Sequence, residues 1–363
     1  MRWEVDRLGT ASTLAVGHTL VVVVALAGLL AAGRWLQPRL DRQTPPAPPP
    51  SPSPAVVTTT QPPGSPHITR TADTAPVDAI AVTPRAVWIA AGGQVLRIDP
   101  ATRRTVVVPD AETVAPPVVE LAAGAGAVWA ATTAGRPLLR IDPGSARATA
   151  SLSVPAQAVA ADRSGVWTVC CRAGPHRGRL TRIDPGTGRV VKVIGLPGHA
   201  DAVGIGPSGV WVRGTEPRLW RVDPGSNRLV ATIPLPSGVT FGGDAVEAGA
   251  PGGDIAVTQD GVWVSNPAAA TVRRIDPRNN QVDGTIWEAD GSDLAVAADG
   301  TVWASSDTRL LGLGGPEVRG PRRNLHELHT DRITAVAAAG DGGLWLGTAQ
   351  GLFHIDQSLL RQG

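Results

Sequence analysis

The chain has no tyrosine, one methionine, two phenylalanines and two cysteines in 363 residues, and Lys192 is its single lysine. The two cysteines are neighbours, Cys170 and Cys171, which excludes a disulfide framework and a zinc cluster of the usual ligand spacing. The fold must therefore hold by packing. A vicinal disulfide would force both residues out of the β region, so two small buried side chains are the simpler expectation. Net charge is also close to absent: 33 Lys and Arg against 31 Asp and Glu leave +2, with no cluster of uncompensated cations to track phosphates. Nucleic acid is not an expected partner. A Ser-His-Asp order, a nucleophile elbow, a Walker loop and a dinucleotide fingerprint are all missing.

What the chain does have is tryptophan at a regular interval. Trp88, Trp129, Trp167, Trp211, Trp263, Trp303 and Trp345 are 41, 38, 44, 52, 40 and 42 residues apart, the period of a four-stranded propeller blade. Each lies in a variant of the unit GVWVSNPAAATVRRIDPRNNQVDGTI that begins at Gly261. In the second copy VVELAAG, AVWAATT, PLLRID and ARATASLSV read as the four strands, innermost to outermost. Side chains alternate along a strand, so the Val-Trp-Val pattern is apolar on both faces, and such a sheet needs a neighbour on each side. Radial stacking of seven blades supplies one, and the expected fold is an all-β seven-bladed β-propeller over residues 67–363.

Asp99-Pro100, Asp142-Pro143, Asp184-Pro185, Asp223-Pro224 and Asp276-Pro277 are the turn between the third and outermost strands. Asp accepts bonds from the turn backbone and Pro presets φ. Arg97, Arg140, Arg182, Arg221 and Arg274 stand two residues before each Asp and read as polar ties between blades. The last copy ends soon after its third strand, so residues near Ile68 are expected to supply the outer strand of the seventh blade, leaving no open edge.

Ahead of the repeat, residues 1–12 are a short tail. Residues 13–35 contain LVVVVALAGLLAA and carry no Asp, Glu, Lys or Arg before Arg34, a run long enough to cross the bilayer core as one helix. A signal peptide cut near Ala31-Ala32-Gly33 is the alternative. Residues 36–66 form a Pro/Ser/Thr-rich linker with eleven prolines between Pro38 and Pro66, a composition that stays extended. Such a stalk suits a cell envelope, so the expected arrangement is a single-pass cell-membrane anchor with the propeller on the extracytoplasmic side, acting as a monomer.

Residues 67–363, through their GVWV, RIDP and turn-Gly units, resemble the bacterial YVTN/virginiamycin-B-lyase-like propeller repeats. The last copy, ITAVAAAGDGGLWLGTAQGLFHID, also resembles the propeller repeats of two-component sensor ectodomains. The resemblance implies the fold. The functions it implies span lyases, lactonases, ligand sensors and protein-binding scaffolds. The lyase branch implies a metal held with His and Glu on one face, and no motif here carries those residues over one by one.

Chemistry is expected where the copies differ. Both large departures, CCRAGPHRGR (Cys170 to Arg179) and SGVTFGGDAVEAGAPGG (Ser237 to Gly253), fall in connections that share one face. Arg172, His176, Arg177 and Arg179 in the first suit an anionic ligand, or form a solvated basic loop. Asp244 and Glu247 lie in the second. Asp78, Glu120, Asp201, Asp254 and Asp293 precede the innermost strands at the channel mouth, where five carboxylates suit a divalent cation, or cap backbone amides between blades. They do not share one register and cannot all face inward. His326, Glu327, His329 and Asp331 lack a third fixed metal ligand. The expected function is binding of a protein, peptide or small-molecule ligand on the loop-rich face, without catalysis and without a resident cofactor. The alternative is a lyase- or lactonase-type enzyme with a divalent cation near the channel mouth.

Overall fold

The structure is a computed structural model. It describes residues 68–109, 118–132, 137–170, 177–235, 253–267, 270–287, 293–306, 308–313, 323–325 and 332–361. Seven four-stranded antiparallel sheets form in chain order, and six take their strands consecutively. The seventh is built from both ends of the described chain: Ile68–Asp73 pairs with Gly351–Ile355, the third strand of the last blade, Ile68 opposite Ile355 and Asp73 opposite Gly351. Each innermost strand lies against the innermost strand of the next blade. That of blade 7 (Ile333–Ala338) lies against that of blade 1 (Val77–Thr83), and the ring is closed. A helical turn, α1 (Gln357–Leu360), follows the last strand and buries Leu360.

The core sits between blades. Seven apolar clusters are found, each straddling two consecutive blades, including blades 7 and 1. Every described side chain of every second strand is buried, as two apolar faces require; only that of Ser306 in blade 6 falls outside the described set. The repeat tryptophans are 0–8% exposed. Opposite each, the innermost strand carries only a small residue: Ala81, Ala122, Ala160, Gly204, Ala256, Ala295 and Ala337. The innermost strands crowd together at the axis: a Cβ on Gly204 would fall 2.7 Å from Ile255 Cγ2 of the next blade.

The Asp-Pro turns share one geometry. The residue four beyond each Asp (Arg103, Ala146, Gly188, Asn227, Asn280) has positive φ and donates its N–H to the Asp carbonyl at 2.8–3.0 Å. The carboxylates of Asp99, Asp142, Asp184 and Asp223 accept turn N–H groups, which lowers their protonation range. Asp276, bonded to Arg278, is pushed down to about 2.

The repeated arginines do not all tie blades together, contrary to the sequence expectation. Arg182 donates to Pro224 O (2.6 Å) and Asn227 Oδ1 (2.8 Å) of blade 4, and Arg221 donates to Pro277 O (2.6 Å) and Asn280 Oδ1 (3.0 Å) of blade 5. Arg140 and Arg274 bond within their own blades, to Thr149 and to Asp260 and Asp283. The physical reason lies in the next turn. Where its positive-φ residue is Asn, a side-chain acceptor meets the guanidinium; where it is Ala146 or Gly188, none does.

No helix among the described residues is long and apolar enough to cross a membrane. The expected span, residues 13–35, and the linker, residues 36–66, lie outside the described residues.

Candidate functional site

The connections between second and third strands and those leading into the next blade emerge at one end of the ring, around the starts of the innermost strands. The acidic residues expected at the channel mouth sit there, in two registers. Counted from the small residue opposite the tryptophan, Glu120, Asp254 and Asp293 are two residues earlier, and Asp78 and Asp201 three.

Glu120, Asp201, Asp254 and Asp293 are close enough to act on one another. Burial first, and then the charges of Asp254, Asp293 and Asp201, hold the Glu120 carboxyl well above the usual range, against a backbone bond from Val159 that lowers it. Burial and the charge of Asp254 do the same to Asp293. Asp78 stands apart from this set. It is the extra residue of a bulge between Val77 and Ala79, it is exposed, and partial desolvation alone raises its carboxyl.

These side chains are engaged by the backbone of neighbouring blades. The Asp254 carboxylate accepts from Ile255 N (2.7 Å) on its own strand and from Leu294 N (3.1 Å) in blade 6. Asp293 accepts from Leu294 N (3.1 Å) and from Val336 N (2.6 Å) in blade 7. Glu120 accepts from Val159 N in blade 3. Thr334, on the blade 7 innermost strand, donates to Val77 O of blade 1. Between blades 4 and 5 the link is an arginine: Arg213 pairs with Asp201 through Nε–Oδ1 (2.9 Å) and Nη2–Oδ2 (2.5 Å) and donates to Ser265 O (2.9 Å). The two side chains are 3% and 6% exposed. Sequence reasoning missed Arg213. Its signal was a charge two residues after the repeat tryptophan, where other blades carry Ala90, Ala131, Val169, Ser265, Ser305 and Gly347. Ser265 and Ser305 were missed as well; Ser265 Oγ accepts from Asp254 N (2.7 Å), and Ser305 Oγ meets Asp293 N at 3.4 Å.

Of the basic loop, Arg177 donates to Pro197 O (2.9 Å) in the connection toward blade 4, and Arg179 is exposed at the start of the third strand, paired with Cys170. Arg172, His176, Asp244 and Glu247 lie outside the described residues, as do Cys171 and the segment from His326 to Asp331. Cys170 is buried. Among the described residues no three His, Cys, Asp or Glu side chains gather as a metal-ligand set.

No protein-family profile and no curated protein matches the sequence. Solved structures do match. A streptogramin B lyase superposes with a TM-score of 0.64 at 12% identity, over 80% of this chain and 97% of that one. Virginiamycin B lyase from Staphylococcus aureus gives 0.61 at 13% identity, over 79% and 98%. Its catalytically inactive His-to-Ala variant, solved with quinupristin, gives 0.61 at 14%, over 80% and 98%. The likeness is one of fold. This chain is a seven-bladed β-propeller related in architecture to those lyases, and at such identity no residue role passes across.

Proposed function

We propose that the protein is a membrane-anchored extracytoplasmic propeller that binds a protein, a peptide or a small ligand on its loop-rich face and catalyses nothing. One observation carries this reading: Glu120, Asp254 and Asp293 are spent on the backbone of adjoining blades, while the repeat order assigns both long departures to connections on that same face. Carboxylates that accept two backbone N–H groups each act as clasps between sheets. The anchor rests on the apolar run in residues 13–35 and the stalk on the prolines of residues 36–66.

The test is photo-crosslinking in cells from a reporter at position 247, in the long blade 4 to blade 5 connection, against a control at Val230, which is 54% exposed on the outer strand of blade 4. Adducts from 247 alone are expected. Equal labelling from both, or none from 247, removes the loop face as the binding surface.

A second reading, a lyase- or lactonase-type enzyme with a divalent cation near the mouth, has in its favour the raised protonation range of Glu120 and Asp293, a feature shared with catalytic carboxyls. Turnover of quinupristin or virginiamycin B in the presence of magnesium, abolished by Glu120→Gln, would establish it in place of the first.

A further inference from the structure

We infer that the seam between blades 1 and 2, on the face opposite the long loops, is a groove that binds a carboxylate carried on a small apolar body, with Arg97 as its anion-binding group. One of the five repeat arginines is an exception. Arg140, Arg182, Arg221 and Arg274 each lie over the tryptophan of their own blade, 5.1–5.9 Å from the ring centroid, and each spends N–H groups on protein acceptors. Arg97, opposite Trp88 at the same repeat position, makes no hydrogen bond, no ion pair and no ring contact among the described residues.

Two local substitutions explain why. The positive-φ residue of the next turn is Ala146, where Asn227 and Asn280 capture Arg182 and Arg221. Across its own sheet Arg97 faces Val106, where Arg140 finds Thr149 and Arg274 finds Asp283 close by. Its Nε is shielded from solvent without an acceptor.

Arg97 borders a groove of about 500 Å³ whose walls include Val82, Thr83, Pro84, Ala123, Ala127 and Pro143. Arg85 stands at its rim, and Arg104 borders the adjoining depression that shares Arg97 and Gly144. Asp99, which lines the adjoining depression, feels the charge of Arg97 but makes no direct ion pair with it. Asp99 accepts from Ala101 N and Thr102 N, and Asp142 from Ser145 N and Oγ, each folded into its own turn. A mostly apolar groove bordered by a guanidinium with no hydrogen-bond acceptor matches a carboxylate at the end of a short hydrocarbon body, as in a free acid or the C-terminus of an apolar peptide.

Calorimetric titration of the full chain in detergent, with hexanoate, hexanamide, and the tripeptide Ala-Val-Leu as free acid and as amide, tests this. Hexanoate is expected to bind at least about tenfold more tightly than hexanamide, and Arg97→Ala to lose about tenfold or more, since a bond to a charged group is removed. Ala146→Asn guards against a folding artefact: it places the side chain found at the clamped seams, should leave the melting temperature unchanged or higher, and should abolish hexanoate binding by recruiting Arg97. Tighter binding of the tripeptide acid than of hexanoate assigns a peptide terminus as the source, and weaker binding a small acid. Equal affinity for acid and amide, absence of any binding, or an Ala146→Asn variant that binds hexanoate as before would overturn the inference. Because the groove and the loop face lie at opposite ends of the ring, either can fail without the other.

Discussion

Replacing Asp201 by Asn would take from the buried Arg213 guanidinium the carboxylate that accepts two of its bonds. Arg213 is 3% exposed; its two bonds to Asp201 lie within blade 4 and position it so that its bond to Ser265 O holds blade 4 against blade 5. Breaking one partner of such a buried pair costs about 3–5 kcal/mol, most of it for the charge left behind. For a ring of this size, at roughly 2 °C per kcal/mol, that is a fall of about 6–10 °C in melting temperature. Pairing Asp201→Asn with Arg213→Met removes the buried cation as well, so the double variant should recover part of the loss and show a coupling of about 1–3 kcal/mol. Thermal unfolding followed by near-ultraviolet circular dichroism reads all three variants. An Asp201→Asn variant within 1 °C of the parent, or losses that simply add, would show that the pair is solvated and that the channel-mouth acids are not structural clasps.

Three further outcomes are expected. Glu120 has a folded protonation range above its unfolded value near 4.5, so between the two the native state keeps a proton that the unfolded chain has released, and stability falls as pH rises through that window. Glu120→Gln should therefore gain stability over the parent from about pH 5 upward in denaturant titrations, with a flatter pH profile; a variant less stable at pH 8 than at pH 5 relative to the parent would contradict it. Deleting residues 68–73 removes the outer strand of blade 7, with the Arg70 bond to Gln350 O and its contact with the Phe353 ring, and exposes an edge that should appear as self-association in sedimentation. In Gly253→Ala the new Cβ would lie 2.1 Å from both Arg213 Nη1 and Ser265 O, so a loss of about 1–3 kcal/mol in chemical denaturation is expected even though no positive φ is involved.

The blades were legible because their signal repeats. The tryptophan interval counts them, and the third strand of blade 2 reads as PLLRID in both sequence and structure, Pro137–Asp142. The closing strand at Ile68 was legible from a deficit: six full units and one lacking its last strand. The acidic residues were visible, and their two registers with them, but what they bond was not, since Val159, Leu294 and Val336 lie on other blades about 40 residues away. Arg213 stayed hidden because a charge inside a buried strand makes sense only once Asp201 is seen beside it. The arginine series shows the limit of reading repeats as repeats. Four of the five identical positions, Arg97, Arg140, Arg182 and Arg221, differ in their partners because one residue in the following turn, Asn227 or Asn280 against Ala146 or Gly188, decides whether the seam is clamped.

The most direct measurement is the divalent-metal content and melting temperature of the purified full chain before and after dialysis against chelator. If the carboxylates of Asp254 and Asp293 are held by Leu294 N and Val336 N as clasps between blades, the chain carries well under one ion and its melting temperature does not move. One ion per chain, with a drop in melting temperature on its removal that Asp254→Asn reproduces, would mean that these oxygens are ligands and that the propeller is built around a metal centre.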